Sequence, residues 1–98
     1  MHCELSPQAV ADLQEIGDYI ARDNPQRAAS FVAELLAHSQ RVADHPEAYP
    51  ARTDLGEGVR CCVHQRYVIF FSLVPELVRI ERILHGSRDL ISEYFDSR

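Results

Sequence analysis

The hydrophobic period of this 98-residue chain changes once, near Gly58, and that change restricts the folds open to it. Before residue 45, apolar residues recur every three to four positions, the spacing that lines one face of a helix. After Gly58, "VRCCVHQRYVIFFSLV" and "ELVRIERILH" are rich in β-branched and aromatic residues, the composition of strands. A chain that is helical first and stranded afterwards belongs to the α+β class, with helices gathered on one face of a sheet.

Each helix carries its own start signal. Ser6–Pro7 and Asn24–Pro25 both set a side-chain oxygen, able to accept from free amides, ahead of a ring already fixed at helical φ. Val10, Leu13, Ile16, Gly17 and Ile20 draw the first stripe, which runs to about Arg22. Ala28, Phe31, Val32, Leu35, Leu36 and Val42 draw the second, which ends at His45–Pro46. The short joint between them predicts an antiparallel helical hairpin. Residues 2–5 form a brief entry strand, and "HPEAYPARTDLGEG", with two prolines, two glycines and no sustained period, is loop.

Breaks at His64–Gln65 and Pro75–Glu76 divide the second half into three antiparallel strands, about 59–63, 66–74 and 77–85. The middle one is apolar on both faces and belongs at the centre of the sheet. In the last, Val78, Ile80, Arg82 and Leu84 alternate with Arg79, Glu81, Ile83 and His85. The first set is expected to face the helices, which obliges Arg82 to find a partner. Gly86 is expected to end the strand as a residue that readily takes positive φ, with His85 bracing the turn. The tail "SRDLISEYFDSR" reads as a short helix with Leu90, Ile91, Tyr94 and Phe95 as its apolar residues. The whole, residues 1–98, makes one domain.

Charge is unevenly divided. Residues 1–51 hold three arginines against eight acids, residues 52–98 seven against seven, and lysine is absent. Every cation is therefore a planar guanidinium, suited to paired hydrogen bonds and useless as a neutral amine base. An acidic balance disfavours direct binding of free nucleic acid. No apolar run approaches the ~20 residues of a membrane span, and the N-terminus lacks a basic start and an apolar core, so the expectation is a cytoplasmic protein. Cys3, Cys61 and Cys62 read as reduced thiols, and adjacent strand residues point to opposite faces, so Cys61 and Cys62 do not share a metal. His2, His38 and His45 lack ligand-like spacings, and no metal or cofactor is expected. His64, at a hairpin turn, is expected in solvent.

"LSPQAVADLQEIGDYIARDNPQRAASFVAELL", a "HP" break, then "VRCCVHQRYVIFFSLV" and "RILHGSRDL", in that order, resemble the ParE-type, plasmid-stabilisation toxins of the RelE/ParE superfamily. The resemblance implies the toxin of a bacterial type II toxin–antitoxin module, neutralised in a hetero-oligomer by a cognate antitoxin whose extended C-terminal segment wraps along it. It implies an inhibitor of DNA gyrase rather than an enzyme. The superfamily also contains RelE-like, ribosome-dependent mRNA endoribonucleases, and a degenerate, non-toxic antitoxin-binding module is a third reading. For a nuclease, the resemblance sets Arg66, Arg88 and Tyr94 where RelE-type arginines and a tyrosine stand, with His85 or His64 as proton carrier; the RelE lysines have no counterpart. For a binding protein, Arg60, Arg66 and Arg88 become partner contacts. Phe31, Leu35, Tyr94 and Phe95 would then form an exposed apolar edge that the partner covers.

Overall fold

Both start signals act as read. In the computed structural model, which describes residues 2–87 and 94–95, Ser6 Oγ accepts from the Ala9 N–H at 3.0 Å and opens α1, Pro7–Ala21. Asn24 Oδ1 accepts from the Arg27 N–H at 3.0 Å and opens α2, Pro25–Val42. The strands are β1 (His2–Leu5), β2 (Val59–His64), β3 (Tyr67–Val74) and β4 (Leu77–His85), and a 3-10 turn covers Pro46–Ala48. They form one sheet in the order β1-β4-β3-β2, with β1 parallel to β4 and the other pairs antiparallel. The α+β architecture expected from the hydrophobic period is the one observed, with β3 between two neighbours as its two apolar faces require.

β1 pairs with only the first part of β4 and stops at Leu5 opposite Ile80. The unpaired amides and carbonyls beyond that point need partners, because an open strand edge leaves polar groups unsatisfied and invites pairing with another chain. Helix α1 and its cap supply them. The Ser6 N–H donates to Ile80 O at 2.9 Å, Ser6 Oγ donates to Glu81 O at 2.7 Å, and Asp12 Oδ2 accepts from the Ile83 N–H at 2.9 Å.

A bulge corrects the expected alternation of β4. The register shifts between Phe70, opposite Arg82, and Phe71, opposite Ile80, leaving Glu81 as the extra residue. Val78 and Ile80 enter the core beneath the helices as expected, but after the bulge it is Ile83 that enters it, whereas Leu84 joins the cluster on the opposite face. Arg82 pairs with Phe70 in the ladder and reaches α1 with its guanidinium alone.

The main core lies between helices and sheet and includes Leu13, Ile16, Leu35, Ile69, Phe71 and Ile80. A smaller one on the far face gathers Leu55, Val59, Phe70, Leu84 and Phe95. Removing such side chains from water contributes roughly 1.5–3 kcal/mol each. Phe31, Leu35 and Phe95 do not form the exposed edge expected of them: all three are buried, Leu35 completely. Phe31 and Leu35 lie on the sheet-facing stripe of α2, and Phe95 seals the far face with its ring 5.4 Å from that of Phe70. Leu90, Ile91 and the rest of the expected tail helix lie outside the described residues.

Gly86 serves a purpose other than positive φ. Its N–H donates to Arg66 O at 2.7 Å, and a Cβ there would lie 3.3 Å from that oxygen, so the strand ends in a close backbone approach. The positive φ values of the hairpins fall instead on Gln65 and Glu76.

Candidate functional site

A groove of about 1030 Å³ opens between α1, the first two turns of α2 and the ends of β3 and β4. Its floor is apolar, with Ile16, Ile20, Phe31, Tyr67 and Ile83. Its α1 wall carries Glu15, Asp18, Tyr19 and Arg22, and its opposite wall Arg66, His85 and Ser87.

Local sequence explains the second wall. The two-residue turn Gln65–Arg66 joins β2 to β3, so Arg66 stands in the turn and not at the first position of the strand. Tyr67 pairs with His85 across β3 and β4, and the Gly86 contact draws the Arg66 backbone to the end of β4. Arg66 and His85 are thereby brought to one groove from positions distant in sequence. Arg66 is exposed, and its side chain has no hydrogen-bond or ion-pair partner among the described residues.

His85 braces the turn, as the sequence suggested. Its Nδ1 accepts from the Ser87 N–H at 3.1 Å and lies 2.6 Å from Ser87 Oγ. In the neutral ring this assigns the proton to Nε2, so the free nitrogen is a donor and not a base. The ring stands edge-on to Tyr67 at 5.2 Å. Arg22 and Arg27 add charge to the groove, Arg27 being held by Glu34 at 2.5 Å. That guanidinium holds the Glu34 carboxyl below its ordinary range.

The remaining residues singled out in the sequence lie elsewhere. Arg60 donates to Tyr49 O at 2.7 Å and to Glu47 O at 3.4 Å, tying the loop before β2 to that strand. Tyr94 lies under the Arg82 guanidinium, 4.7 Å from ring centroid to Cζ, and is half-buried. Arg88 lies outside the described residues. His64 is not in solvent: its side chain is 13% exposed and packs against Phe31 and His38. No group of three or more His, Cys, Asp or Glu that could hold a metal occurs among the described residues, and none of their helices is long and apolar enough to cross a membrane.

Sequence reasoning missed Tyr19, Arg22, Arg27 and Tyr67. Tyr19 carried a signal, being a large aromatic off the apolar stripe of its helix, and it is 64% exposed. An exposed guanidinium, an imidazole that donates, an apolar floor and an acidic wall together suit a protein surface that offers anionic, cationic and apolar side chains.

Residues 3–90 match the family model described as the ParE toxin of the type II toxin–antitoxin system parDE. The chain belongs to the ParE toxin family. It is 36% identical to Toxin ParE1 of Caulobacter vibrioides over 84 residues, covering 85% of this chain and 86% of that protein. Its fold resembles that of a chain in the chromosomal ParDE toxin–antitoxin system of P. aeruginosa, with a TM-score of 0.75 at 22% identity, over 87% of this chain and 95% of that one. The ParE resemblance read from "LSPQA", "RYVIFF" and "RILHGSRDL" is thus met over nearly the whole chain. This ParE-family protein is a toxin component of a type II module.

Proposed function

We propose that this ParE-family toxin acts in the cytoplasm by binding and inhibiting DNA gyrase, and that a cognate antitoxin neutralises it by occupying the groove in a hetero-oligomer. The observation that carries a binding mode of action is the groove wall: Arg66 is exposed without a partner among the described residues, next to an imidazole whose basic nitrogen is occupied by Ser87. Cleavage of RNA through its 2′-hydroxyl calls for a free base and cations placed on the phosphate. His85 offers a donor instead, and the chain has no lysine. Membership of the parDE family and the fold shared with a chain of a ParDE system support the antitoxin as partner.

The test is a supercoiling assay with purified gyrase, relaxed plasmid and the full chain. Supercoiling is expected to stop as toxin is added and to resume when the antitoxin from the same module follows. Normal supercoiling by gyrase, at toxin levels that arrest growth in cells, would remove the gyrase reading.

A further inference from the structure

Five rings run in file from α2 to the groove. Centroid distances are 5.1 Å for His38–His64, 5.6 Å for His64–Phe31, 5.5 Å for Phe31–Tyr67 and 5.2 Å for Tyr67–His85. At the outer end the Nδ1 atoms of His38 and His64 are 2.9 Å apart. Two imidazole nitrogens bond at that distance only when one bears a proton and the other a lone pair.

The surroundings decide which is which. His64 Nε2 is buried, has no hydrogen-bond partner among the described residues and lies 3.6 Å from Glu34 Oε1. A lone pair there would face a carboxylate, so the proton belongs on His64 Nε2. His64 Nδ1 is then the acceptor and His38 Nδ1–H the donor. The other charged or titratable groups around the pair are Glu34 with its Arg27 partner and Arg41 on α2, Cys62 on β2, and Tyr67 on β3 beyond Phe31. Burial pushes the Cys62 thiol up to about 12, so it stays neutral.

We infer that His38 and His64 form an acid-sensitive latch, which fastens α2 to the β2–β3 hairpin and, when both rings are imidazolium, releases it and loosens the Phe31–Tyr67 side of the groove. A first extra proton can enter at His38 Nε2 and leave the bond intact. A second must enter at His64 Nδ1, where the His38 N–H already points, and it sets two positive rings in contact. Burial, the neighbouring His64 and Arg41 all hold His38 below its ordinary value. Its folded-state value therefore lies beneath the unfolded one of about 6.5. The stability that comes from keeping His38 neutral is complete above that pH and is lost as pH falls through its lower, folded value, while the latch itself opens only with the second proton. This inference is independent of the gyrase reading.

The test follows the imidazole nitrogens of the full chain by NMR through a pH titration and measures backbone hydrogen exchange in wild type and His38→Gln. Glutamine can donate an amide N–H to His64 Nδ1 but cannot become charged. At pH 7.5 the expected result is His64 in the Nε2–H form, with the pair taking its two protons in separate steps. As the second proton enters, exchange over residues 34–42 and 59–67, corrected for intrinsic rate, should rise about tenfold more in wild type than in His38→Gln. Independent titration of the two rings without a change in local exchange overturns the latch, as does an unchanged acid response in His38→Gln. Should the variant fail to fold, the wild-type titration and exchange decide alone.

Discussion

Asp12 and Arg82 meet through two hydrogen bonds of 2.8 Å, Nε to Oδ2 and Nη2 to Oδ1, while the same Oδ2 takes the Ile83 N–H at 2.9 Å. One carboxylate thus satisfies a mostly buried guanidinium and closes the strand edge that β1 leaves open. Its loss strands both. Asp12→Ala is expected to lower stability by about 3 kcal/mol, because breaking a buried pair leaves an uncompensated charge. Urea unfolding measures it, and Arg82→Met should cost less because it leaves Asp12 with the Ile83 amide. A cost below about 1 kcal/mol for Asp12→Ala, the range of surface pairs, would show that solvent reaches Arg82 freely.

Phe31 and Tyr19 both line the groove but differ in burial, 4% against 64% exposed. Phe31→Ala should cost about 3–5 kcal/mol through the cavity it leaves, whereas Tyr19→Ala should stay within about 0.5 kcal/mol. Thermal denaturation of the two variants side by side checks the difference.

Arg66→Glu should leave the unfolding midpoint of the protein unchanged, since the side chain has no partner among the described residues. If the groove contacts the target, the same change should weaken gyrase inhibition by about tenfold or more, the loss expected when a central arginine contact is reversed in charge. Titrating toxin against supercoiling rate reads it directly.

Cys61 is half-buried and Cys62 buried. With the Cys62 thiol raised to about 12, roughly one molecule in ten thousand carries its thiolate at pH 8. Iodoacetamide should therefore modify Cys61 first under native conditions, and peptide mapping should find Cys62 labelled only after unfolding.

The Arg27 guanidinium holds the Glu34 carboxyl down, with His64 adding to the effect. A carboxylate whose folded value is depressed stabilises above its unfolded value of about 4.3 and loses that contribution as pH falls below it. Glu34→Gln should flatten this part of the acid limb of a stability curve. Because Glu34 is 40% exposed, high salt should shrink the difference.

Residues near one another in the chain settled much of this protein before any contact was considered. Ser6–Pro7 and Asn24–Pro25 announce their helices because a cap acts within one turn, and the apolar run of β3 announces a central strand because both its faces must be covered. That His85 braces its turn was legible for the same reason, and the partner the structure gives it, Ser87, is two residues away. Contacts between distant segments were not. A single bulged residue, Glu81, reversed the inward face of β4, because strand periodicity has a period of two and one insertion inverts everything beyond it. His38 and His64, 26 residues apart, carry no spacing that marks them as a pair, and only the packing of α2 against β2 brings their nitrogens together. Nor could Asp12 be chosen from eight acids in the first half of the chain as the partner Arg82 required. That choice depended on where β1 stops, because the carboxylate answers a free edge that exists only once the sheet is assembled.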